Sequence, residues 1–134
     1  MLNKVDHIGI AVKSLEKAKE FYEKSLGLAP SSAESVPSQM VTAVFFKIGG
    51  SKIEFLEGTS PESPITKFIE KKGEGIHHIC YEVDDLEDTL SKLQKSGIQL
   101  IDKSPRVGAH GKKIAFIHPK STNGILTELT EKDK

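Results

Sequence analysis

The 134-residue sequence predicts an α+β fold of two tandem modules, each in the order strand, helix and three strands (βαβββ). An internal repeat is the first reason: residues 76–83, IHHICYEV, restate residues 5–12, VDHIGIAV, at an offset of 71. The second reason is that His7 falls on His78, so the repeat includes a polar position. The third is that a helix-like pattern follows each copy. A duplicated unit that keeps its histidine indicates one site built from both copies.

The first module begins with a strand at 5–12, whose alternate residues separate an apolar face from a face of small residues beside His7. Ser14 is a suitable N-cap for the helix that follows, and Gly27 is a suitable residue to end it. Residues 29–40 are rich in Ser, Pro and Ala, which predicts a loop. Two of the strands that follow the helix are predicted around a Gly-Gly hairpin turn, at 41–48 and 52–57.

A short helix from Ser63-Pro64 to about Lys72 connects the two modules. The second module repeats the order, with a strand at 76–83, a helix from Asp85 to about Ser96, and strands near 98–102, 112–118 and 124–130. The sequence therefore predicts a single domain over 1–134, divided into module one at about 3–58, the connecting helix at about 62–75, and module two at about 76–131.

Composition excludes several classes of protein. The 19 basic and 19 acidic residues leave no net field to attract a nucleic acid. The single cysteine, Cys80, cannot form an intrachain disulfide, and the first residues lack the long apolar run of a signal peptide or membrane helix. A reduced, cytoplasmic protein without a membrane partner is expected.

Glutamate recurs as well as histidine, because Glu54 corresponds to Glu128 at an offset of 74. Modules related by an approximate two-fold rotation would bring His7, His78 and both glutamates onto inner strand faces. Two nitrogens and two carboxylates suit a divalent ion such as Co²⁺, Ni²⁺, Fe²⁺, Mn²⁺ or Zn²⁺. The alternative is structural, since a single strand histidine is more often a hydrogen-bonded framework residue than a metal ligand.

Other polar residues are expected to have no metal role. His77 has the opposite strand parity to the histidine that follows it, so His77 and its equivalent, Asp6, are assigned to the helix side or the rim. His110 and His118 lie near a loop and a strand end, where a surface or polar-cluster role is expected. Cys80 is expected to be a small buried thiol.

The chain contains several specific motifs: DHIGIAV (6–12), LGL (26–28), GEGIHHICYEVDDL (73–86), PRVGAHG (105–111), IAFIHPK (114–120) and GILTEL (124–129). On these residues the sequence resembles the vicinal oxygen chelate superfamily and, within it, the methylmalonyl-CoA epimerase family. The resemblance implies a half-open curved sheet around a metal site. It also implies that the metal ligands are His7, Glu54, His78 and Glu128, in agreement with the repeat.

The activity implied by the resemblance is interconversion of (2R)- and (2S)-methylmalonyl-CoA, by metal-assisted α-proton abstraction and reprotonation through an enediolate. The implied cofactor is a divalent ion, foremost Co²⁺, with Mn²⁺, Ni²⁺ or Zn²⁺ as alternatives. Some epimerases have a glutamate, proposed as a base, where this sequence has Ala43. Glu128 and Glu54 are therefore predicted to transfer the protons.

An acyl-CoA substrate also needs cationic contacts for its phosphates. Arg106, Lys112 and Lys113 are candidates, with Lys120 beside them, in or next to the loop and turn of module two. A solvated charged rim is the alternative explanation for each of these residues taken alone. A homodimer is expected, because a half-open sheet leaves strand edges to cover.

Three other functions remain open. Glyoxalase I has the same fold and a similar ligand set but acts on a glutathione hemithioacetal. A ring-cleaving dioxygenase would use two histidines and one glutamate around Fe²⁺, and would not need Glu54. A metal-free member of the fold would bind or sequester a small molecule.

Overall fold

The structure is a computed structural model that describes residues 1–133. Eight strands and three α-helices follow in the order β1 Leu2–Ala11, α1 Leu15–Glu20, β2 Glu34–Val36, β3 Val41–Ile48, β4 Ser51–Gly58, α2 Pro64–Lys72, β5 Gly75–Val83, α3 Leu86–Lys95, β6 Arg106–Val107, β7 Lys113–Ile117 and β8 Thr127–Glu131. A π-helical segment, Phe21–Ser25, extends α1. Each half of the chain thus has the order βαβββ, which confirms the predicted fold class. Within residues 1–133, no helix combines the length and apolarity needed to span a bilayer.

The contacts divide the chain into two compact units. The first unit is His7–His77, and the second combines Met1–Asp6 with the residues from His78 onward. In the first unit the strand order is β2-β3-β4-β1, and only the β4–β1 pair is parallel. In the second the order is β5-β8-β7-β6, and only the β5–β8 pair is parallel. The strand pairing of module one therefore recurs in module two.

Apolar side chains on one face of each unit's strands pack against that unit's first helix. In the first unit Val44, Phe46 and Phe55 form the core with Leu15, and the ring of Tyr22 packs edge-on to Phe55 at a centroid distance of 4.9 Å. In the second unit the buried side chains are Val83, Leu86, Leu90, Ala115, Ile117 and Leu129. Burial on one face leaves the alternate residues of the same strands to form the other face.

The N-termini of α1 and α3 are capped in the same way. Ser14, the predicted N-cap, accepts a hydrogen bond from the Lys17 amide at 3.3 Å, and Asp85 accepts one from the Asp88 amide at 3.0 Å. Glutamates from the last strand of each module reinforce these caps. Glu57 accepts from the Leu15 amide at 2.9 Å, and Glu131 accepts from the Leu86 amide at 3.0 Å. Each module thus fastens its helix to its last strand through a carboxylate.

Three predicted segments were wrong in detail. The loop at 29–40 contains β2 and a 3₁₀ turn, Pro37–Gln39. The segment 98–102 makes only a single bridge, between Leu100 and Ile117, because the Asp102 carboxylate takes the Phe116 amide that a full strand would use. The last strand begins at Thr127 rather than 124, since the preceding turn has positive φ at Asn123 and Gly124.

Replacing Gly58 by Ala is expected to lower the free energy of unfolding by about 1–3 kcal/mol, the usual cost of overpacking. Gly58 ends β4, and a Cβ there would overlap Oγ1 of Thr66 and lie 3.0 Å from the side chain of Ser63, the N-cap of α2. Urea denaturation would measure the loss. Gly50→Ala is the control, because a Cβ at Gly50 meets nothing within 4 Å; equal stability losses in the two variants would contradict the packing explanation.

Candidate functional site

The first predicted ligand pair lies on neighbouring strands of the first unit. In the parallel pairing of β1 with β4, Gly9 is opposite Glu54, so His7 and Glu54 share a face. The Nε2 atom of His7 lies 3.5 Å from Oε1 of Glu54, and the two side chains are 13% and 11% exposed. Gly9 therefore presents no side chain on the face that His7 and Glu54 share.

The second pair occupies the equivalent positions of the second unit. Cys80 is opposite Glu128 in the pairing of β5 with β8, just as Gly9 is opposite Glu54. His78 Nε2 lies 3.0 Å from Glu128 Oε1, and both side chains are nearly buried. The sequence repeat therefore corresponds to the same strand register in the two units.

Each pair has the chemistry and spacing expected of two ligands to a divalent ion. Ligands bound at about 2.1 Å in neighbouring octahedral or tetrahedral positions lie about 3.0–3.4 Å apart. The N···O distances of 3.0 Å and 3.5 Å in the two pairs are of this size. The imidazole nitrogen and carboxylate oxygen are also suitable donors for an ion of intermediate softness. A hydrogen bond donated by an Nε2–H group of His78 to Glu128 is the alternative explanation of the shorter contact.

An aromatic ring flanks each glutamate. Phe45 is opposite Glu54, and Phe116 is opposite Glu128. The ring of Phe116 meets the His78 imidazole edge-on, with centroids 6.0 Å apart, and the Phe45 ring has Lys52 Nζ 5.3 Å from its centroid. Each glutamate is therefore opposite a phenylalanine in the neighbouring strand, in the same register in the two units.

Three residues that were predicted to have no metal role have other contacts or are buried. His77 meets the ring of Phe68 in α2 edge-on at a centroid distance of 4.9 Å, which confirms its assignment to the helix side. Nδ1 of His118 accepts a hydrogen bond from the Lys120 amide at 3.0 Å, a polar-cluster role. Cys80 is fully buried.

The predicted CoA-binding cations have different surroundings. Arg106 is stacked over Phe116 and paired with Asp102. Lys112 forms an ion pair with Asp133 at 2.8 Å, and the hydrogen bond to that carboxylate raises the pKa of the Lys112 ammonium above its usual value. Lys113 is exposed and points to the opposite face of β7 from Phe116, by strand parity. The three cations therefore differ in their contacts: Arg106 and Lys112 each pair with a carboxylate, and Lys113 is exposed.

The strand register also places Ala43 and a carboxylate that the sequence reasoning missed. Ala43 is buried on the same face as Glu54, opposite Leu56 in β4. On its other side, Glu34 in β2 is directly opposite Ala43. Glu34 was missed because β2 was read as loop; its alternation with the buried Val36 is too short a signal to predict a strand. Asp102 was missed for the converse reason: its segment was predicted to be a strand, but it forms only a single bridge.

Comparison with known proteins shows the superfamily to which the chain belongs. The family model described as the Glyoxalase/Bleomycin resistance protein/Dioxygenase superfamily matches residues 6–116, and the chain belongs to that superfamily. Within it, the chain is 40% identical over 131 residues to the mitochondrial methylmalonyl-CoA epimerase of Homo sapiens, covering 97% of this chain and 74% of that protein. It is 39% identical to the ethylmalonyl-CoA/methylmalonyl-CoA epimerase of Cereibacter sphaeroides, covering 98% and 99%.

A solved structure is also similar over nearly the whole chain. The methylmalonyl-CoA epimerase of Streptomyces coelicolor, in complex with 2-nitronate-propionyl-CoA, has a TM-score of 0.93 and 34% sequence identity, covering 98% of this chain and 95% of that chain. The resemblance seen in the sequence motifs is thereby confirmed.

Proposed function

We propose that this protein is an isomerase that interconverts (2R)- and (2S)-methylmalonyl-CoA. The observation that carries the proposal is the duplicated histidine–glutamate pair, found in the same strand register in both units. The similarity to epimerases of that name over nearly the whole chain supports it. A homodimer in the cytoplasm, in a pathway that handles propionate-derived acyl groups, is part of the same proposal.

His7, Glu54, His78 and Glu128 are proposed to bind one divalent ion, foremost Co²⁺, with Mn²⁺, Ni²⁺ or Zn²⁺ as alternatives. That both pairs serve the same ion is inferred from the sequence repeat and from the superfamily. When bound, such an ion would supply a Lewis acid that stabilises negative charge developing on the thioester oxygen. The nitrogen and oxygen donors of each pair fit this role by their spacing.

Proton transfer at C2 is proposed for the two glutamates. A carboxylate takes the α proton, the electron pair of the C–H bond enters the enediolate, and a second group returns a proton to the opposite face. The methyl side chain of Ala43 cannot accept a proton, and Glu128 and Glu54 are the proposed pair.

The CoA part of the substrate is proposed to contact Arg106, Lys112 and Lys113. Lys112 and Lys113 line a shallow groove of the second unit, together with His110, Glu131, Lys132 and Asp133. Loss of a cation that only binds the substrate should raise KM with little change in kcat.

Conversion of a single epimer tests the proposed reaction. Metal-loaded protein is incubated with (2S)-methylmalonyl-CoA, and the fraction of (2R) epimer is followed to equilibrium. The hemithioacetal of glutathione and methylglyoxal is the comparison substrate, because glyoxalase I is the nearest alternative. Turnover of the hemithioacetal without epimerisation would contradict the proposal and favour that alternative. Binding of methylmalonyl-CoA without turnover of either substrate would favour a sequestering protein.

A further inference from the structure

Arg106 is held in a fixed place by two contacts within the second unit. Its Nε atom lies 3.3 Å from Oδ2 of Asp102, and its guanidinium carbon lies 5.0 Å from the centre of the Phe116 ring. The same Oδ2 of Asp102 accepts a hydrogen bond from the Phe116 amide at 2.8 Å. Asp102 therefore fixes both the guanidinium and the strand that carries the ring beneath it.

This arrangement places the guanidinium on the candidate site's face. Arg106 is opposite Ile114 in the pairing of β6 with β7, and Ile114 is two residues before Phe116, so Arg106 shares the face of Phe116 and Glu128. The Phe116 ring in turn meets His78 at 6.0 Å. The two centroid distances together limit the separation of the Arg106 guanidinium and the His78 ring to about 11 Å.

That separation is short for a contact with the phosphates of CoA. An extended chain advances about 1.2 Å per bond, so the first phosphorus, thirteen bonds from the thioester sulfur, lies about 16 Å away. The two amide carbonyls of the pantetheine arm, four and eight bonds from the sulfur, lie about 5 Å and 10 Å away. With the thioester bound beside His78, Arg106 is at the distance of the amide carbonyls.

The chemistry of the side chain fits a carbonyl partner. Arg106 keeps four N–H donors on its two terminal nitrogens after Nε has bound Asp102. The side chain is 45% exposed, so these donors can reach a ligand. The Phe116 ring and the Asp102 carboxylate balance part of the positive charge, which weakens the attraction for a distant phosphate and leaves directional hydrogen bonding as the main interaction.

We propose that Arg106 binds an amide carbonyl of the pantetheine arm rather than a phosphate, and that Asp102 is the positioning residue that holds Arg106 in place. This inference rests on the proposed function, because it assumes that the acyl thioester binds beside His78. It separates Arg106 from Lys112 and Lys113, which remain the candidates for the phosphates.

Two substrates distinguish the carbonyl from the phosphate: methylmalonyl-CoA and methylmalonyl-pantetheine, which lacks phosphates. Arg106→Ala is expected to raise KM about tenfold for both substrates, with kcat changed less than about twofold. Asp102→Asn should change KM in the same direction by a smaller factor, again for both substrates. Lys103→Ala, which removes an exposed cation near Arg106, is the control and should leave KM for the pantetheine ester unchanged.

A KM effect of Arg106→Ala that appears with the CoA ester and disappears with the pantetheine ester would overturn the inference in favour of phosphate binding. Unchanged KM for both substrates would also overturn it, since Arg106 would then not contact the substrate. An inactive wild-type protein would instead contradict the proposed function, and the wild-type measurements alone would reveal that failure.

Discussion

Replacing Glu128 by Gln is expected to lower the rate of epimerisation about 10²- to 10⁴-fold, the usual contribution of a positioned acid or base. The amide oxygen of glutamine can still bind a cation and can still accept a hydrogen bond from His78, whose Nε2 lies 3.0 Å from Glu128. Glutamine cannot accept the α proton at neutral pH. The variant therefore separates proton transfer from metal binding, provided that elemental analysis shows the metal to be retained.

Exchange of the C2 proton with deuterated water, measured for each epimer separately, shows which glutamate serves which face of C2. If Glu128 serves only one face of C2, Glu128→Gln should stop proton exchange from one epimer. The other epimer should still exchange its C2 proton, with retention of configuration. Glu54→Gln should give the opposite selectivity. A general structural defect would slow exchange from both epimers alike. Full exchange in either variant, with metal retained, would remove that glutamate from the proposed chemistry.

Replacing His78 by Ala is expected to weaken metal binding more than about 100-fold, because changes to outer-shell partners alone typically cost 10–100-fold. The imidazole is buried, and the variant also removes its 3.0 Å contact with the Glu128 carboxylate. Isothermal titration with Co²⁺ would measure the affinity, and circular dichroism would confirm that the variant folds.

His77→Ala is the matched control for that experiment. The two histidines are adjacent in the sequence and chemically identical, but His77 packs edge-on against Phe68 on the helix side. Its loss should leave Co²⁺ affinity unchanged and reduce only the stability of the packing with α2. Equal losses of metal affinity in the two variants would contradict the assignment by strand parity.

Periodicity and repetition were strong enough to predict much of this structure. The repeat of His7 at His78 predicted two equivalent strands. In the structure, each glutamate is opposite the residue two positions after the histidine of its unit: Glu54 is opposite Gly9, and Glu128 is opposite Cys80. Strand parity also placed His77 correctly, because alternation follows directly from backbone geometry.

Other features depend on contacts that no local pattern encodes. The short strand β2 has only three residues, so its alternation was too brief to distinguish from a loop, and Glu34 was missed with it. The segment 98–102 has the apolar pattern of a strand, but the Asp102 side chain occupies the amide of Phe116 and limits the pairing to one bridge. The position of Arg106 depends on the same carboxylate, which is why its distance from His78 could not be read from the sequence.

The most direct measurement is NMR detection of deuterium at C2 after metal-loaded protein is incubated with methylmalonyl-CoA in deuterated water. Metal-assisted abstraction and return of the α proton predicts deuterium incorporation that depends on the protein, depends on the divalent ion and falls sharply in Glu128→Gln. A fully metal-loaded, folded protein that leaves the C2 proton unexchanged would contradict the proposed activity and the roles assigned to both glutamates.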